Sequence, residues 1–154
     1  MIPETTTRVA RHTPRHVNAE IRRQLEENVT RTAAGGVEAI NRRLMELDRE
    51  WDIERTLEAN AATASLIGLA LGATRDRRWF LFPAVVAGFL LQHAIQGWCP
   101  PVPVFRRLGF RTQTEIDYER YALKALRGDF QGLSGGDQGG AHADASRVLQ
   151  AAER

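Results

Sequence analysis

Cys99 is the only thiol in the chain and the side chain with the clearest chemical potential. It stands at the end of an apolar stretch that also contains His93, Gln92 and Gln96. One cysteine excludes an intramolecular disulfide and a multi-cysteine zinc site. Because a metal ion needs more ligands than His93 and Cys99 provide, we expect no metal and no cofactor.

The reactivity of Cys99 depends on its local electrostatics. The thiol follows the carboxyl end of a predicted helix, where the carbonyl groups disfavour a thiolate. A structural thiol is the simpler interpretation. A thiol that carries a persulfide or links two subunits is the alternative, and it would be favoured if Arg106 and Arg107 fold back towards the sulfur atom.

No other pattern in the sequence predicts catalysis. The glycine pairs lack the lysine and helix of a phosphate loop, and no Ser/His/Asp arrangement can be argued from one apolar segment. The chain has 21 basic and 19 acidic residues and a formal charge of +2. This balance excludes a dedicated nucleic-acid binder, which needs a clustered basic face. We therefore expect no enzyme activity and no catalytic residue.

Charge is almost absent from the middle of the chain, and this segregation predicts membrane insertion. No formally charged residue lies between Arg78 and Arg106. Trp79 and Trp98 are separated by 19 residues, or about 28 Å of helix, close to the roughly 30 Å of a bilayer core. Tryptophan prefers the membrane interface, so residues 79–98 are predicted to span a bilayer, with Trp51 as a further interface anchor.

A second span is predicted over residues 57–74, although Asn60 interrupts its apolar character. It carries small residues at intervals of four, which allow close approach of helix backbones in lipid. A hairpin that turns near residue 76 would place positions that sum to 152 opposite each other. The predicted pairs join small residues or polar side chains: Ala64 with Gly88, Gly68 with Ala84, Asn60 with Gln92, and Thr56 with Gln96, while Gly72 continues the ladder of small residues towards the turn.

The flanking basic residues predict the orientation of the hairpin. Seven arginines flank the two spans on the outside and three lie in the turn, which favours cytoplasmic termini in a bacterial inner membrane. The alternative is a water-soluble helical bundle with a buried hairpin, because a helix that is apolar all round can also be a protein core. The other helices are half charged and offer little cover for such a core.

The remaining segments predict amphipathic helices and a flexible end, so the fold class is all-α. Apolar spacing predicts helices over residues 14–33 and from about residue 37, and a capping box at Thr112 opens another that ends near Leu126. The stripe on the second helix, which ends at Trp51, predicts packing on another helix or, alternatively, dimerisation. The resulting division is an N-terminal region 1–52, a membrane hairpin domain 53–112, a cytoplasmic helix 113–128 and a flexible tail 129–154.

Residues 52–112 resemble the YgaP-like inner-membrane domain family. The resemblance rests on Gly97-Trp98-Cys99-Pro100, then Leu108-Gly109 and Thr112, and on the pair Glu54-Arg55 before the first span. It implies a two-span membrane hairpin. Some relatives fuse this hairpin to a rhodanese domain, which handles sulfane sulfur, but this chain contains none.

The functional expectation is a non-enzymatic membrane anchor or scaffold. Its partners are the lipid bilayer and a second copy of the chain, which would meet it through the small-residue faces. The alternatives are a sulfur-relay or redox accessory that uses Cys99, and a soluble helical interaction module. The sequence identifies no protein partner.

Overall fold

The computed structural model describes residues 4–131, and the expected all-α class is confirmed, because that part of the chain is helical and contains no strand. The helices are α1 (Arg8–Arg11), α2 (Arg15–Ala34), α3 (Gly36–Leu47), α4 (Ile53–Thr74), a 3₁₀ helix (Arg77–Phe80), α5 (Leu81–Gln96), α6 (Val102–Arg107) and α7 (Gln113–Arg127).

The long helices agree with the expectations from apolar spacing. The helix predicted over residues 14–33 is α2, the one from about residue 37 is α3, and the one opened by Thr112 is α7. The short helices α1 and α6 were not expected. Of the predicted tail 129–154, only residues 129–131 lie within the described part, so the prediction of flexibility falls almost entirely outside it.

The described chain divides into two compact units. The first consists of residues 4–22 and 51–114, and the second of residues 23–50 and 115–131. Of the predicted N-terminal region, residues 4–22 lie in the first unit and residues 23–50 in the second.

The second unit is built on the apolar stripe of α3. Ile40, Leu44 and Leu47 are buried together with Ile116 and Leu123 of α7. The Arg43 side chain donates a 2.7 Å hydrogen bond to Glu119, whose side chain is fully buried. These contacts bury the centre of the stripe within one chain. They support the interpretation that the stripe packs on another helix rather than forming a dimer.

The first unit contains a helical hairpin formed by α4 and α5. The Asp52 side chain caps α4 by accepting the Arg55 backbone N–H, and Asp76 caps the 3₁₀ helix in the same way through Arg78. Between these elements the chain reverses direction at residues 75–76, which is the position that the sequence predicts for the turn.

The register of the hairpin agrees with the predicted sum next to the turn, where Gly72 faces Phe80, and differs from it at Gly68. A Cβ atom at Gly68 would lie 2.8 Å from side-chain atoms of both Phe82 and Pro83, so Gly68 faces these residues rather than Ala84. The direction of the side chains explains the difference, because successive residues of an α-helix point about 100° apart. Phe82 and Pro83 point towards α4, whereas Ala84 is exposed.

One helical segment of the described chain, Arg77–Gln96, is long and apolar enough to cross a membrane by length and composition. Only 6% of its most apolar part is buried by the rest of the structure. Helix α4 has 22 residues and is also long enough, but Glu58, Asn60 and Thr63 make it less apolar.

Candidate functional site

The open end of the hairpin, where α4 begins and α5 ends, holds a cluster of charged side chains. Glu54 lies in the first turn of α4 and His93 in the last turn of α5. The Glu54 carboxylate lies 2.6 Å from His93 Nε2 and 3.0 Å from Arg8 Nη2. One carboxylate therefore joins both hairpin helices to α1.

The protonation of this cluster follows from its contacts. Burial raises the pKa of Glu54, but the hydrogen bonds and positive charges of His93 and Arg8 outweigh burial and lower it overall. Because an ionised carboxylate only accepts hydrogen bonds, His93 Nε2 must carry the proton that it shares with Glu54. His93 is 2% exposed, and in the described structure its Nδ1 atom and Arg8 Nε are buried without a hydrogen-bond partner.

Beneath the charged cluster lies a small apolar core. Val9, Ile53, Leu57, Cys99 and Val102 are all buried in it. The Cys99 side chain is thus buried in a core to which α1, α4 and α6 contribute. Burial raises the pKa of the Cys99 thiol, the Val102 backbone N–H lowers it, and the negative charge of Glu54 raises it. The pKa of the thiol is raised overall, which favours the protonated form, and burial keeps the sulfur atom from solvent.

Gly97 allows α1 to approach the hairpin closely. It ends α5 with a φ of +76°, a left-handed conformation that favours glycine. A Cβ atom at this position would lie 2.6 Å from the backbone carbon of Arg8. The absence of a side chain is therefore required both by the backbone conformation and by the contact.

A second set of hydrogen bonds holds the segment after α1. The Arg106 side chain of α6 is 1% exposed and donates to Thr13 Oγ1, to Asn18 Oδ1 and to the Phe110 carbonyl oxygen. We refer to residues 8–13, which lie between these two sets of contacts, as the N-terminal clasp. Arg106 is committed to the clasp and does not fold back to activate Cys99, and Arg107 is exposed.

The small residues named from the sequence fall into two groups. Gly68 and Gly72 are buried inside the hairpin, where Phe82 and Pro83 cover the first and Phe80 covers the second. Ala64 is half-buried. Ala84 and Gly88 are exposed, and a Cβ atom at Gly88 would meet nothing within 4 Å. The structure therefore separates residues that the predicted register paired.

The polar residues that the sequence places within the two apolar segments are also separated. The Asn60 side-chain N–H donates to the Thr56 carbonyl oxygen of its own helix, so the expected Asn60–Gln92 amide pair does not form. Gln92 is half-buried and Gln96 is exposed, and neither side chain has a hydrogen-bond partner within residues 4–131. Only His93 joins the charged cluster.

The tryptophans lie at accessible positions. Trp51 is exposed and the Arg55 guanidinium lies 4.4 Å above its ring. Trp79 is exposed beside the turn and packs edge-on against Phe82, while Trp98 is half-buried at the open end. Exposed aromatic rings at both ends of the hairpin are compatible with interface anchoring.

Sequence reasoning missed the clasp. Helix α1 has four residues, too few to show a helical period, and Arg8 is one of many arginines. Glu54 and Gly97 were noticed only through the family resemblance.

Within residues 4–131 no group of three or more His, Cys, Asp or Glu side chains could hold a metal ion. No protein-family model, curated protein or solved structure matches the chain.

The clasp should loosen in acid because of Glu54. Its lowered pKa means that the carboxylate stabilises the closed state above its ordinary pKa of about 4.5, and that this stabilisation is lost as the pH falls through the lower value in the folded protein. We expect the Cys99 thiol of the purified protein to react faster with a dipyridyl disulfide in that range, after correction for the reagent's own pH dependence.

Glu54→Gln provides the control for this pH effect. The amide cannot ionise, so the variant should show raised Cys99 reactivity already at neutral pH and no further rise in the acid range. Identical profiles for the wild-type protein and Glu54→Gln would show that Glu54 does not hold the clasp.

Proposed function

We propose that the chain is a non-enzymatic integral membrane anchor, inserted in the bacterial cytoplasmic membrane as a two-span hairpin with both termini in the cytoplasm. The observation that carries this proposal is the outward direction of the apolar side chains. Leu66 on α4 and Leu81 and Leu91 on α5 are 67%, 70% and 63% exposed. Soluble proteins rarely present an apolar surface of this extent to water.

The way the two helices pack also supports insertion. Their contact is made at Gly68 and Gly72, where backbone and aromatic side chains approach closely. Lipid provides no hydrophobic driving force between helices, so close packing at small residues must hold them together. The resemblance of residues 52–112 to a two-span family agrees with this arrangement.

The orientation rests on the arginines that flank the spans. Arg75, Arg77 and Arg78 are exposed at the turn, and the larger number of arginines near the open end favours that end as the cytoplasmic side. The unit of α3 and α7 is joined to the hairpin through the chain, so the hairpin would tether it to the membrane.

The two alternatives are less well supported by the same geometry. A sulfur relay needs an accessible thiolate, whereas Cys99 is 3% exposed with a raised pKa. A soluble interaction module would need a partner that covers the outside of both hairpin helices. Lipid covers that surface without a partner of matching shape.

Carbonate extraction of membranes tests the anchor. We expect the wild-type chain to stay in the membrane pellet and Phe89→Arg to be released in large part, because an arginine at the middle of a span costs about 2.5–3.5 kcal/mol on insertion scales. The control is Leu126→Arg, at an exposed position of the second unit, which should stay in the pellet. Release of the wild-type chain would refute the proposal.

A further inference from the structure

The turn between the two hairpin helices carries a concentration of positive charge. Arg75, Arg77 and Arg78 are exposed there, and Asp76 lies among them. The Asp76 carboxylate accepts the backbone N–H of Arg78, and within residues 4–131 none of the three guanidinium groups has a hydrogen-bond or ion-pair partner. Three positive charges therefore accompany one negative charge at the turn. We call the three residues the turn arginines.

The turn arginines lie directly beside apolar side chains that point away from the protein. Trp79 follows Arg78 and is exposed, and Leu81 is 70% exposed. Every residue from 73 to 80 is exposed, so no other part of the described chain covers the turn. Tryptophan prefers the boundary between hydrocarbon and headgroups. A bilayer that covers Leu81 therefore brings lipid headgroups to the level of the turn arginines.

The chemistry of the guanidinium group selects among the headgroups. A guanidinium presents N–H donors in a planar fork that matches two oxygen atoms of a phosphate. Phosphatidylcholine carries a cationic choline beside its phosphate, and this cation would lie close to the positive charges of the turn. A phospholipid with a net negative charge offers the phosphate without the opposing cation. Free inorganic phosphate offers the same oxygen atoms but has no acyl chains to cover the apolar side chains.

We propose that the turn arginines bind the headgroup phosphate of an anionic phospholipid, whose acyl chains lie against Trp79 and Leu81. The inference rests on the proposed membrane insertion, because insertion is what places headgroups at the turn. It also deepens that proposal. A guanidinium that is paired with a phosphate cannot sink into hydrocarbon without losing its partner, so the bound lipid fixes the depth of the hairpin in the bilayer.

The fluorescence of Trp79 in proteoliposomes tests this binding. The full chain with Trp51→Phe and Trp98→Phe keeps Trp79 as its single tryptophan, and it is reconstituted in equal parts of phosphatidylglycerol and phosphatidylcholine. Bromine atoms on the acyl chains of one lipid or the other quench tryptophan on contact, so two otherwise identical samples report which lipid lies beside Trp79. One arginine near an anionic surface contributes about fivefold to binding, so we expect phosphatidylglycerol to be favoured by about that factor or more.

Two matched triple variants locate the preference. Replacement of all three turn arginines by glutamine should make quenching by the two lipids equal. The control is the same replacement at Arg31, Arg42 and Arg49, which are exposed in the second unit. It changes the net charge equally and should leave the preference intact. Equal quenching in the single-tryptophan parent, a preference that survives removal of the turn arginines, or its loss in the control would overturn the proposal.

Salt tests the parent protein without any arginine variant. At about 1 M sodium chloride the Debye length is about 3 Å, so the preference should shrink. Sodium phosphate at the same ionic strength should act no more strongly than chloride. A preference that salt leaves unchanged, or one that phosphate removes and chloride does not, would overturn the lipid headgroup as the ligand. Carbonate extraction separates the two proposals, since a failed lipid site leaves the chain in the membrane and a failed anchor releases it.

Discussion

Replacement of Gly97 by alanine should open the N-terminal clasp and expose Cys99. The added Cβ atom would lie 2.6 Å from the Arg8 backbone, and no flexible side chain can move away to accommodate it. A left-handed alanine costs about 1–2 kcal/mol in addition. Since Val9 of the clasp and Cys99 are buried in the same apolar core, displacement of the clasp should raise the rate of maleimide labelling of this sole thiol by at least tenfold.

Gly109→Ala is the matched control for this result. Gly109 also has a left-handed backbone, with φ of +89°, but nothing lies within 4 Å of its Cβ position. It carries the conformational cost without the clash, so Cys99 should stay protected. Equal labelling of Gly97→Ala and the wild-type protein would mean that the clasp does not cover the thiol.

Replacement of Gly68 by leucine should separate the two helices of the hairpin. Atoms of Phe82 and Pro83 lie 2.8 Å from the Cβ position, and a leucine has three further carbon atoms to place. Overpacking of this kind costs about 1–3 kcal/mol. One helical turn further from the bend, the same register sets Ala64 opposite Val86. In a Cys99→Ser background, a disulfide between cysteines at those positions should form readily without the leucine and poorly with it.

The variant Gly88→Leu distinguishes helix packing within the hairpin from association between copies of the chain. Its Cβ position is open, so the disulfide within the hairpin should form as in the parent protein while association between copies is weakened. Gly68→Leu should have the opposite primary effect. If both leucines impaired the intramolecular disulfide equally, the assignment of Gly68 to the inside of the hairpin would be wrong.

The helices of this chain could be predicted because local rules determine them. The apolar stripe of α3 and the capping-box signature at Thr112 depend only on neighbours in sequence, and helices α3 and α7 begin where these patterns predict. The turn at residues 75–76 is equally local, because a cluster of charges interrupts an apolar segment. These features need no knowledge of the rest of the fold.

The register of the hairpin was harder to predict because it depends on the geometry of a few residues. Counting outward from residue 76 gives the level of each residue along its helix but not the direction of its side chain. Phe82 and Pro83 point towards Gly68, whereas Ala84 is exposed. In a helix that is apolar all round, the sequence pattern does not show which side will face the neighbouring helix.

The candidate site could not be predicted, since it depends on contacts between distant residues. Arg8 and Glu54 are 46 positions apart, and Arg106 and Thr13 are 93 apart. His93 was recognised as a polar residue in an apolar helix, but its partner was not. The sequence suggested chemistry at Cys99. The structure instead buries that thiol in an apolar core, and the side chains of Arg8, Glu54 and His93 join α1 to the hairpin.

Purification without detergent tests most directly whether lipid solvates α4 and α5. If the account is right, the wild-type chain runs as a single species on size exclusion only in detergent or in a lipid nanodisc, and it precipitates or forms large aggregates when detergent is removed. A monodisperse, folded chain in detergent-free buffer would contradict the account, because the exposed apolar faces of the hairpin would then be stable in water.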